Sequence, residues 1–180
     1  MLIIECPANT LWNEQTEEFI ESPKCTLKLE HSLLSISKWE SIHKKPFLSA
    51  ETKTREETIS YVECMTINHD VPPTVYIALT DEIITQINSY IEDSHTATTI
   101  SKRGGGRASR EIITSELIYY WMVSQGIPFE CEKWNLNRLM TLIEVCAVKS
   151  TPEKKMSKQS ILAQNRALNQ ARRAKTGSKG

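Results

Sequence analysis

The chain has no run of about 18 apolar residues, the length a helix needs to cross a bilayer. It starts with an apolar MLIIECPANT, but no basic stretch precedes it and the run is too short for a signal peptide. The expected location is therefore the cytoplasm. The cysteines, Cys6, Cys25, Cys64, Cys131 and Cys146, are odd in number and irregular in spacing, and no C-x-x-C occurs. That pattern argues against a disulfide framework and against a zinc site, and predicts reduced, mostly buried thiols. No two of His31, His43, His69 and His95 share a helical face at i, i+4, and none stands beside a cysteine or carboxylate at ligand spacing. The expected metal and cofactor complement is none. Without a nucleophile–base pair or a metal set, no enzymatic class is indicated.

Net charge is also lacking, but only in the total. Residues 149–180 carry nine Lys and Arg against one acid, whereas residues 1–148 carry 13 bases and 21 acids. An acidic body is thus followed by a basic tail, the usual mark of an interaction tail. Aromatics are missing from 149–180, so the tail offers no stacking platform for single-stranded nucleic acid.

What is present reads as an α+β chain. The N-terminal part, 1–100, opens with strands for a small antiparallel layer: Leu2-Ile3-Ile4 up to Pro7, Thr16 to Ile20, then an alternating stretch from Thr26. Leu27 and Leu29 fall on one parity, Leu34 and Ile36 on the other, so a bulge or break is expected near His31-Ser32. Thr54-Arg55-Glu56-Glu57 fits a capping box opening a helix to about Ile67 with Ile59, Val62 and Met65 inward. His69-Asp70 and Pro72-Pro73 read as turn. Thr80 caps a second helix, closed by Asp93-Ser94, with Ile83, Ile84, Ile87, Tyr90 and Ile91 on one stripe. Thr96 to Ile100 is rich in β-branched residues and reads as a strand. Residues 101–108 contain Gly104-Gly105-Gly106 and read as a flexible loop; the glycines lack the spacing of a phosphate-binding loop.

The densest apolar stretch is 109–148. Its first helix is expected to be capped by Ser109, with Ile113, Leu117, Tyr120, Trp121 and Ser124 on one face. Gly126 supplies a left-handed end and Pro128 stops continuation. The second helix, from about Cys131 to Val148, repeats Leu139, Leu142, Ile143 and Cys146. A short connection predicts an antiparallel helical hairpin, with Tyr119, Tyr120, Trp121 and Trp134 as an aromatic cluster across it. These rings suit either core packing or the centre of a protein interface. After it, 149–180 reads as a basic mobile tail, helical in its Ala-rich part and disordered over 176–180. Two partners fit its charge: nucleic-acid phosphates, or an acidic or amphipathic protein.

The segments LIYYWMVSQGIPFECEKWNLNRLMTLIEVC and KKMSKQSILAQNRALNQARRAKTGSKG resemble the tail assembly chaperones of long-tailed bacteriophages. The likeness spans about 109–180; the first 100 residues add only general compatibility. It implies a non-enzymatic protein of the host cytoplasm that binds the long helical tape-measure protein, with tail tube protein as a further partner and an oligomer compatible. In that reading Tyr120, Trp121, Trp134 and Leu139 are core or interface residues, and Arg166, Arg172 and Arg173 are tail contacts. Two other classes fit the same features: a structural virion protein of tail, connector or baseplate, and a nucleic-acid-binding protein using the tail.

Overall fold

The computed structural model describes residues 1–13, 17–99, 111–150 and 158–176. Two compact units are present, Met1–Val148 and Lys149–Gly180. The first is mixed α+β, as the sequence predicts.

It opens with a two-stranded antiparallel ribbon. Strand β1 (Leu2–Cys6) pairs with β4 (Cys25–Leu29), and β2 (Asn9–Asn13) with β3 (Glu18–Ser22). Both ladders keep one register, so continuing it across the gap sets Pro7 opposite Lys24 and Ala8 opposite Pro23. Proline has no N–H to donate, and two prolines on facing chains break the ladder at that point. The face turned to the body changes parity at the break. Ile4, Cys6, Leu27 and Leu29 are buried before it; Leu11, Ile20 and Ser22 are the sheltered positions after it. Trp12 and Phe19, opposed on β2 and β3, are left 52% and 70% exposed and pack edge-on at 4.9 Å.

The strand expected to continue through Leu34 and Ile36 is a helix instead. Ser32 caps α1 (Leu33–His43), accepting from the Ser35 N–H, and this cap is the physical cause of the parity change. Leu33, Ile36 and Trp39 then lie on the buried face of α1. Helix α2 (Arg55–Met65) begins with the predicted capping box between Thr54 and Glu57. After it, the chain lies along the free edge of β4: the Ile67 N–H donates to the Lys28 carbonyl, and the Asn68 side chain bonds Lys28 N–H and the Thr26 carbonyl. A short helix α3 (Pro73–Ile77) occupies what reads as turn, with a proline at its start, where no donor is lost. Helix α4 (Asp81–Glu92) has Thr80 and Asp93 at its ends, as expected. Residues 96–99 form no strand, and Ile100 lies outside the described residues.

The apolar stretch folds as α5 (Ser115–Ser124), a 3-10 turn (Phe129–Lys133) and α6 (Leu136–Ser150). Its first helix starts later than predicted: residues 111–114 are not helical, and Thr114 is the cap. Ser109 and 101–108 lie outside the described residues. At the other end Gly126 takes φ +66°, Ile127 N–H reaches the Met122 carbonyl and Gly126 N–H that of Val123. This is a Schellman end, with Ile127 buried beneath it. Both helices pack into the body. Helix α5 packs on α1, and so does the 3-10 turn. Asn135 opens α6 by accepting from Asn137 N–H and bridges to Ser32, while Leu136 N–H donates to the His31 carbonyl. The second unit holds α7 (Lys158–Thr176); 177–180 lie outside the described residues.

One polar contact fixes α5 in place. Glu40 on α1 is buried; its Oε1 accepts from the Phe47 N–H at 2.8 Å, and its Oε2 from the Ser115 N–H at 2.8 Å and the Ser115 hydroxyl at 2.5 Å. Beside it lies an aromatic core. Phe47 stacks at 4.0 Å on Tyr61 and edge-on at 5.1 Å against Trp39, whose Nε1–H donates to the Glu57 carbonyl. His31 is buried there with Nδ1 2.5 Å from the Tyr61 hydroxyl, and burial pushes its imidazole down to about 4.

Candidate protein-binding surface

Helix α5 divides its apolar residues between two faces. Ser115, Ile118 and Met122 are buried, and Tyr119 and Trp121 flank them half-buried. Tyr120 and Val123 point the other way and are 64% and 60% exposed. The face expected to run through Ile113, Leu117, Tyr120, Trp121 and Ser124 is therefore split, with Tyr120 and Ser124 outward and Ile113, Leu117 and Trp121 half-buried. The reason is Glu40: it holds Ser115 against α1, and the inward stripe follows from that residue at i+3 and i+7. The turn after α5 adds Phe129, 57% exposed, with its ring 6.2 Å from Tyr119. The Tyr119 hydroxyl donates to Glu132 at 2.7 Å; burial, then this bond, pushes its ionisation upward. Tyr120, Val123 and Phe129 thus form an exposed apolar ledge beside the paired Tyr119 hydroxyl.

The other predicted residues of this stretch separate. Trp134 is half-buried, with the Arg138 guanidinium 4.3 Å over its ring. Leu139 is fully buried in the core. Among the described residues, the ring pair within 109–148 is Tyr119 with Phe129, so the four predicted aromatics do not converge on one cluster.

Helix α7 carries Arg166, Arg172 and Arg173, all exposed. Its 19 residues include five bases and no acid. At 100° per residue, Arg166, Arg172 and Arg173 gather on one side with Leu162, Asn165 and Asn169, and Ala163, Ala167 and Ala171 on the other.

Titratable groups elsewhere have local explanations. Lys45, 2.7 Å away, and the Thr54 N–H hold the Glu57 carboxyl below its usual value. His43 stacks on Trp39 at 4.5 Å and bonds Ser60. An open cleft of about 440 Å³ is lined by Lys38, Cys64, His69 and Lys133 among others, but burial pushes the Cys64 thiol upward, away from a nucleophilic thiolate. Among the described residues no three His, Cys, Asp or Glu side chains are grouped to hold a metal ion. No helix among them is long and apolar enough to cross a membrane.

Sequence reasoning missed the outward Trp12–Phe19 pair. Its signal was the alternation Thr10, Trp12 against Phe19, Glu21; strand β3 runs Glu18–Ser22, and Thr16 lies outside the described residues. Comparison with protein-family models, curated proteins and solved structures gave no match.

Proposed function

We propose that this chain is a non-catalytic binding protein that acts as a tail assembly chaperone of the long-tailed bacteriophage kind in the host cytoplasm, holding amphipathic helices of a tape-measure protein. The observation that carries this reading is the ledge of Tyr120, Val123 and Phe129, three large apolar side chains left in solvent at the centre of the most apolar stretch. Aromatic anchors dominate interface energetics, and an amphipathic helix docks by inserting apolar side chains at i, i+3, i+4 and i+7. The resemblance that names the partner spans the elements α5, α6 and α7. Tail tube protein is a second partner in the same reading.

Co-expression with a tape-measure protein from an adjacent gene is expected to give a stable complex. The pair Tyr120→Ala and Val123→Ala should weaken it about tenfold or more, about 1.4 kcal/mol, without moving the thermal midpoint of the free chain. If both proteins are folded and do not co-purify at low salt, the reading is wrong. A stoichiometric copy number in purified particles favours a structural virion protein instead.

Helix α7 favours a second reading. A helix with five bases, no acid and few apolar groups on its basic face suits phosphates better than an apolar protein groove. Binding of random duplex DNA that weakens steeply with salt, and is lost with Arg166→Gln and Arg173→Gln, supports it.

A further inference from the structure

Cys6 and Cys25 are opposed partners in the β1–β4 ladder, on its last rung before the break at Pro7-Ala8 and Pro23-Lys24. Opposed residues of an antiparallel pair point to the same face, with Cα atoms about 4.5–5.5 Å apart. Disulfides span about 4.4–6.8 Å between Cα atoms, so the rung needs no rearrangement of the backbone to be bridged. Both thiols are free, Cys6 buried and Cys25 half-buried. Of the five cysteines, Cys64, Cys131 and Cys146 sit on α2, the 3-10 turn and α6, and none shares a rung. Burial, then the neighbouring Cys25, pushes the Cys6 thiol upward, as two thiols meeting at one site require.

We infer that Cys6 and Cys25 form a redox-closable clamp, a dithiol that a small-molecule disulfide such as oxidised glutathione converts to a disulfide across the ribbon. Cys25, the more accessible, attacks as thiolate one sulfur of the oxidant. The oxidant's S–S bond breaks, one glutathione thiol leaves, and Cys25 carries a mixed disulfide. The small thiolate fraction that burial leaves to Cys6, held on the same rung, then attacks Cys25 Sγ and expels the second glutathione. Two protein thiols lose two electrons, the oxidant gains them as two thiols, and the two protein protons end on those thiols. The closed clamp pins the break in the ribbon and so fixes the distal strands that carry Trp12 and Phe19. Its open form prevails wherever the glutathione poise is reducing.

The test is oxidation of the folded full-length chain with oxidised glutathione, followed by alkylation and peptide mapping. The expected product links the Cys6 and Cys25 peptides while Cys64, Cys131 and Cys146 stay alkylated. Closing this loop should raise the thermal midpoint by about 6–12 °C, reversibly with dithiothreitol. Cys6→Ala, which keeps an apolar group in the buried position, should stop at a glutathione adduct on Cys25. Cys25→Ser should leave the midpoint insensitive to the oxidant. Recovery of Cys6 and Cys25 both alkylated, under conditions that oxidise the unfolded chain, overturns the inference. So do links that join other cysteines or two chains.

Discussion

Replacing Glu40 tests whether a single buried carboxylate sets the face that α5 presents. In the folded chain it accepts from Phe47 N–H, Ser115 N–H and the Ser115 hydroxyl. Glu40→Ala strands two buried backbone donors, each costing about 1–3 kcal/mol, and loses a charged hydrogen bond worth about 1.5–3 kcal/mol. Removing the charge recovers its desolvation cost, so the net loss should be about 3–5 kcal/mol, a large part of the roughly 5–15 kcal/mol that stabilises a domain. Glu40→Gln keeps an acceptor for Phe47 but turns an amide donor towards the Ser115 N–H. The Ser115 hydroxyl can rotate to accept from that amide, so the cost should be nearer 2 kcal/mol. Urea unfolding followed by tryptophan fluorescence measures both, and a cycle with Ser115→Ala should return a coupling of about 1.5–3 kcal/mol. Hydrogen exchange should quicken first at the start of α5. The reasoning fails if Glu40→Ala lies within about 0.5 kcal/mol of the parent, the range of an ordinary surface change. It fails equally if Gln costs as much as Ala.

Other outcomes follow from burial. His31, held down to about 4 by burial, is neutral in the folded chain, while the unfolded imidazole titrates near 6.5. The unfolded state therefore binds more protons between these values. Stability should be unaffected by this group above about pH 6.5 and fall by up to about 3 kcal/mol as pH drops towards 4. Its ring resonances should stay flat from pH 8 to 5; a midpoint near 6.5 would refute the assignment. Leu139→Ala, at a fully buried position, should cost about 2–5 kcal/mol in urea unfolding, whereas Tyr120→Ala should change stability by no more than about 0.5 kcal/mol. Similar costs for the two would mean that Tyr120 belongs to the core and the ledge is not a binding surface.

How much was legible depends on the range of the interaction. The capping box at Thr54, the Thr80 cap and the left-handed Gly126 were readable because each is satisfied within about five residues of chain. The failures share a longer range. The inward face of α5 depends on Glu40, 75 residues away from Ser115. The α1 helix was read as a strand because Leu34 and Ile36 also satisfy alternation, and only the Ser32 cap decides between the two. The candidate surface was half legible: the stretch was found, but its outward and inward residues were mixed, since periodicity alone does not say which stripe meets the core.

By itself the sequence determined the α+β class, the helix caps, the left-handed stop after α5, and the separation of an acidic body from a basic end. Each follows from local backbone chemistry or from composition. The tertiary structure alone decided which side of α5 faces water, where the ribbon switches its buried face, and that Cys6 meets Cys25 on one rung. Each of these needs a partner from distant chain, and periodicity carries no record of what a face will be packed against.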